Sequence, residues 1–154
     1  MSILVIGIGN EYRSDDAVGL EIADSLSEYA LENCAIKRTS GEGIALMNLW
    51  EDFAHVILID AVLSGCEAGT IHKIDLSKET LQADWFQTSS HLFALPEAVQ
   101  LAKTLNKLPK TILAYGIEGK NFDYGVGLSP KVQEAKKLLA NRIKADIKAL
   151  QQVE

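Results

Sequence analysis

The stretch Ile3-Leu-Val-Ile-Gly7-Ile-Gly9-Asn10-Glu-Tyr-Arg13-Ser-Asp15-Asp16-Ala-Val-Gly19 decides the fold. A run of β-branched and apolar residues bounded by Gly7 and Gly9 reads as a fully buried strand, and Val18, Ile22 and Leu26 continue as a helical stripe. The turn between them therefore lies at the carboxyl edge of a sheet, where open α/β proteins keep their chemistry. Two adjacent acids, Asp15 and Asp16, open the helix at that edge. The nucleotide readings of such a turn fail on the residues. A dinucleotide fingerprint places a third glycine where Tyr12 stands, and carboxylates at 15 and 16 repel a pyrophosphate. No Gly-Lys-Ser/Thr triplet supports a phosphate loop.

Outward from this turn, strand-like runs at Ala35 to Thr39, His55 to Asp60, Thr70 to Asp75 and Thr111 to Ile117 alternate with helix-like segments. The helical patterns cover Asp16 to Tyr29, Gly43 to Trp50, His91 to Leu105 and Pro130 to Leu150, the last with Ser129 as N-cap and Pro130 at the first helical position. This is the signature of an α/β layered domain. The gap from Asp60 to Thr70 is too short for a helical crossover and suits a tight antiparallel connection, so the sheet is expected to be mixed. Gly116 to Pro130 is the one long irregular segment, of a length often tied to function.

The chain has 154 residues and is 47% hydrophobic, enough to bury one sizeable core, and 1–154 reads as one domain. Acids outnumber bases 21 to 15, and the net charge of -6 disfavours a nucleic-acid partner or an anionic membrane surface. The first residues enter a strand directly and no apolar run approaches spanning length, which implies a cytoplasmic, soluble protein. Cys34 and Cys66 are too far apart for a CxxC motif and read as reduced structural thiols.

Three residues stand out as candidates. Asp60 ends the apolar run Val56-Ile-Leu-Ile-Asp60, and such an acid needs a hydrogen-bonding partner or a cation; the plainer role is capping the following turn. Asp16 either joins a site or complements the helix dipole while Ser14 or Asp15 caps the helix. His91 follows Ser89 and Ser90, where a turn can aim an imidazole at the same edge, or it is an ordinary helix-start residue. His55 falls at the opposite strand end, and His72 alternates along Thr70 to Asp75 as a surface position. If Asp16, Asp60 and His91 converge, two oxygens and one nitrogen suit nickel, zinc or a similar divalent ion with open positions.

The ordered series of motifs resembles the nickel-iron hydrogenase maturation proteases. It comprises Gly7-Ile-Gly9-Asn10 with Arg13-Ser-Asp15-Asp16 and Gly19, then Gly41-Glu-Gly43 with Leu46 and Trp50, then Ile59-Asp60-Ala61 with Ser64-Gly65 and Gly69-Thr70. Ser89-Ser90-His91 and Leu108-Pro109 follow, and then Tyr115-Gly-Ile-Glu118-Gly119, Gly125, Gly127-Leu-Ser-Pro130 and Val132. The resemblance implies a single three-layer, phosphorylase/hydrolase-like domain with a mostly parallel or mixed five-stranded twisted sheet and helices on both faces. It implies an endopeptidase that trims the C-terminal extension of a hydrogenase large-subunit precursor after nickel insertion. Asp16, Asp60 and His91 match the family's metal-contacting set, although relatives often carry glutamate where Asp16 stands.

In this reading nickel arrives with the substrate, other divalent metals can occupy the site, and the enzyme works as a monomer. The chain offers no Ser-His-Asp or Cys-His constellation, so water is the nucleophile, activated by Asp16 as general base or by the metal. Gly41 to Gly43 and Gly116 to Ser129 either flank a cleft for the peptide tail or are ordinary turns. Two other functions compete. A peptidyl-tRNA hydrolase-like enzyme shares the Gly-x-Gly-Asn turn but needs a histidine shortly after it, which is missing. A noncatalytic nickel-protein chaperone would use the same three ligands without cutting.

Overall fold

The computed structural model describes residues 2–29, 31–40, 43–76 and 95–153. Among the described residues, five strands form one sheet: β1 (Ile3–Ile8), β2 (Cys34–Thr39), β3 (His55–Val62), β4 (Ile71–Asp75) and β5 (Thr111–Glu118). Their order is β2-β1-β3-β5-β4, with β4 antiparallel to β5 and every other pairing parallel. Burial accounts for this order. All of β1 and β3 and nearly all of β5 are buried, so these continuous apolar runs take the centre. β2 and β4 keep partly exposed positions and form the edges.

The sheet is mixed, as the short connection after β3 required, but β4 does not pair with β3 as a hairpin. β5 lies between them, because a fully buried eight-residue β3 needs a long apolar neighbour on each side. The strand runs read from the sequence match the observed strands to within two residues at each end, which is the ordinary uncertainty of such boundaries.

Helices cover both faces. A 3₁₀ turn (Ser14–Ala17) leads into α1 (Val18–Ser27), which packs with α4 (Pro130–Val153) on one face. There Val18, Ile22 and Leu26 meet Val132, Leu139, Ile143 and Ile147 over Ile3, Val5, Ile57 and Ile59. On the other face α2 (Gly43–Trp50) and α3 (Leu95–Thr104) bring Trp50, Val99 and Ala102 against Leu4, Ile6, Ile8, Val56 and Leu58. Successive strand residues thus serve opposite cores, the period-two geometry of a sheet buried on both sides. Among the described residues, no helix is long and apolar enough to cross a membrane.

α4 shows how periodicity sets orientation. Leu139 is fully buried, whereas its neighbour Leu138 is 51% exposed. Leu139→Ala is expected to cost about 2–5 kcal/mol through lost burial and a residual cavity. Leu138→Ala should stay within about 0.5 kcal/mol of the parent. Urea midpoints of the two variants check the contrast.

Candidate active site

The site is built at the carboxyl edge, where the strand order reverses. From β1 the chain turns to β2 on one side, while β3 lies on the other, so a crevice opens between the ends of β1 and β3. Backbone packing beside it is close. A Cβ on Gly19 would collide with the carbonyl oxygens of Ile8 and Ile59, so the first turn of α1 rests directly on the β1–β3 seam. Gly9, at φ 158°, lies against the Asp16 carbonyl where a side chain has no room.

Both candidate acids lie at this crevice. Asp16 sits in the 3₁₀ turn, 2% exposed, and the turn packs against β3. Asp60 is fully buried in β3, and its Oδ1 accepts the Ala61 N–H at 2.8 Å. Its neighbours Ile59 and Ala61 belong to the core under α1 and α4, so the Asp60 side chain occupies the α2–α3 face. Gly116 stands beside it in register on β5. His91 lies outside the described residues, as do Gly41 and Glu42.

Asp15 has a different role from the one its position suggested. Among the described residues, neither the 3₁₀ turn nor α1 receives a side-chain cap, so it does not cap its own helix. Its fully buried carboxylate reaches instead to the segment after β5. Oδ2 accepts the N–H groups of Lys120 and Asn121 at 2.8 and 2.9 Å and the Ser129 hydroxyl at 2.8 Å, and Oδ1 accepts the Ser129 N–H at 2.7 Å. Burial opposes the charge, but the N–H groups of Ser129, Asn121 and Lys120 and the Ser129 hydroxyl outweigh it. The carboxyl is held below its ordinary range.

The surrounding bonds complete a latch. The Asp15 N–H donates to the Asn121 carbonyl, the Ser14 N–H to the Gly125 carbonyl, and the Ser14 hydroxyl to the Asp123 carbonyl at 2.8 Å. Arg13 lies 4.1 Å from the Tyr124 ring centroid, a cation–π contact over the same segment. The irregular stretch is thereby tied to the acid-bearing turn.

A second polar group on the α2–α3 face was not foreseen. Glu118, at the end of β5, is fully buried and shares that face with His72, which stands opposite Gly116. His72 Nε2 is 3.2 Å from Glu118 Oε1, and the imidazole is only 21% exposed. His72 is therefore half-buried and partnered rather than a surface position, because Glu118, two residues beyond its register partner Gly116, lies on the same face of β5. Glu118 Oε2 also accepts the Ser64 N–H at 2.7 Å. The signal for Glu118 was available: like Asp60, it is an acid ending an apolar strand run. Cys34 is partly buried, and burial pushes its thiol up to about 11, which makes it a poor nucleophile.

Fold and site together define an α/β enzyme with buried carboxylates at the switch point of a mixed sheet. A profile of the hydrogenase maturation proteases matches residues 21–146, and the chain belongs to that family and is a peptidase. It is 27% identical over 136 residues to the hydrogenase 2 maturation protease of Escherichia coli K12, spanning 86% of this chain and 82% of that one. Its fold matches the hydrogenase maturating endopeptidase HybD of E. coli, with a TM-score of 0.80 at 22% identity over 97% of this chain and 93% of that one. It also matches the [NiFe] hydrogenase maturation protease HybD of Thermococcus kodakarensis, with a TM-score of 0.72 at 22% identity over 94% and 98%.

The Asp15 latch makes a measurable prediction. Asp15→Ala leaves three backbone N–H donors without their acceptor and should cost about 3 kcal/mol at neutral pH. Because folding lowers this pKa, its stabilisation is complete above the unfolded value near ~3.9 and fades as pH falls through the folded one. The difference in unfolding free energy between parent and Asp15→Asn is therefore expected to shrink below about pH 4. Urea titrations at pH 7 and in the acid range check it.

Proposed function

We propose that this peptidase removes the C-terminal extension of a nickel-iron hydrogenase large-subunit precursor once nickel has been inserted. In this reading Asp16, Asp60 and His91 contact the nickel that the precursor carries. The observation that carries it is the pair of buried carboxylates, Asp16 and Asp60, on the two flanks of the switch-point crevice. Charges removed from water require a cation or hydrogen-bond donors, and carboxylates with an imidazole suit a divalent transition metal. α3, which begins four residues after His91 in the chain, covers the same sheet face that holds Asp60.

The chemistry follows from this placement. A metal held between enzyme and precursor fixes the scissile amide beside the crevice, converting peptide hydrolysis into a reaction between positioned groups. Asp16 takes the proton of the attacking water, the oxygen adds to the amide carbonyl carbon, and the proton passes to the departing amine as the C–N bond breaks. The Asp15 latch holds Asp16 within a rigid turn, so the base keeps its position without a loop rearrangement.

The test is the intact mass of the precursor after incubation, with and without inserted nickel. The unaltered enzyme is expected to release a discrete C-terminal peptide from the nickel-loaded form alone. Asp16→Asn, Asp60→Asn and His91→Ala should each slow release about 10²-fold or more. Unchanged rates in all three, or equal cleavage without nickel, would falsify the assignment. A verified nickel-loaded precursor that binds without losing mass would make the protein a chaperone.

A further inference from the structure

Cys66, His72 and Glu118 come from three stretches of chain: the connection after β3, strand β4 and the end of β5. Cys66 Sγ, an imidazole nitrogen of His72 and a carboxylate oxygen of Glu118 lie within 4.8 Å of one another. The 3.2 Å separation of His72 Nε2 and Glu118 Oε1 is close to the ~3.3 Å edge of a tetrahedron built on metal–ligand bonds of roughly 2.0–2.1 Å. Cys66 is exposed, so rotation of its side chain sweeps through solvent and not through the core.

The carboxylate is held ready. Glu118 is fully buried, and Ser64 binds both of its oxygens: the N–H to Oε2 at 2.7 Å and the hydroxyl to Oε1 at 2.5 Å. Such bonds orient a ligand and fix the direction of its lone pairs, as outer-shell groups do around metal sites. Gly69 and Thr70 add backbone bonds to Glu118, which tie the same connection to the end of β5.

We propose that Cys66, His72 and Glu118 form a second metal site, for a borderline divalent ion of the zinc or nickel class. Sulfur, nitrogen and oxygen donors together select against magnesium and calcium, which take oxygen ligands. Three protein ligands leave a fourth position for water. On binding, the Cys66 thiol releases its proton to solvent and the thiolate becomes the ligand. The ion clamps the connection that follows Asp60 and Val62 onto β4 and β5, stiffening the rim on the Asp60 face. The site is independent of any metal carried by a precursor.

Cobalt(II) added to the full chain is the probe, read by absorption. The parent protein is expected to develop a thiolate-to-cobalt charge-transfer band in the near ultraviolet, removed by competing zinc and unaffected by magnesium. Cys66→Ser, an exposed and mild change, should abolish the band. His72→Ala should weaken cobalt binding about 10-fold or more. Cys34→Ser should leave the band intact, since Cys34 pairs with Ile3 at the amino end of the sheet. Absence of the band in the parent, its survival in Cys66→Ser, or unchanged affinity in His72→Ala overturns the site. The readout needs no precursor, so it stands or falls separately from peptide removal.

Discussion

The buried carboxylate of Asp15 is the constraint on which the carboxyl edge depends. An ionised acid without water must be surrounded by donors, and here the donors come from a segment 105 to 114 residues further along the chain. Satisfying this one charge closes the irregular stretch after β5 over the turn after β1. It also places Ser129 directly before α4, whose apolar stripe then lies against α1. Breaking the latch exposes several backbone donors at once, so its members stand or fall together.

Packing at glycines supplies the other half of the frame. With no Cβ at Gly9 and Gly19, the acid-bearing turn sits directly on backbone carbonyls and not on a layer of side chains. A side chain on such a turn has its position set by the sheet beneath it. Asp16 in the 3₁₀ turn and Asp60 in β3 thus sit on two elements that pack directly together.

The α2–α3 face of this edge is more polar than a core-covering face needs to be. Asp60 on β3 and His72 on β4 both stand in register with Gly116 of β5, and Glu118 lies two residues further along β5 on the same face, where apolar residues would pack more cheaply. Proteins retain such groups where chemistry or ligand binding requires them, and each must then be neutralised locally. Asp60 is met by a backbone N–H, and Glu118 by a serine and an imidazole.

Much of the molecule was legible in the chain. Apolar β-branched runs locate β1, β3 and β5 because burial on both faces leaves little choice of residue, and the stripes at Val18, Ile22 and Leu26 or Leu139, Ile143 and Ile147 locate helices. An acid closing an apolar run marks Asp60 and, by the same logic, Glu118. Tertiary structure alone decided the rest. Local sequence does not reveal that β5 separates β3 from β4, that Asp15 binds loop donors rather than capping its own helix, or that His72 meets Glu118. Those facts depend on contacts between residues far apart in sequence, and such contacts are chosen by competition among all ways of burying the strands together, whereas periodicity and capping report only on neighbours within a turn or two.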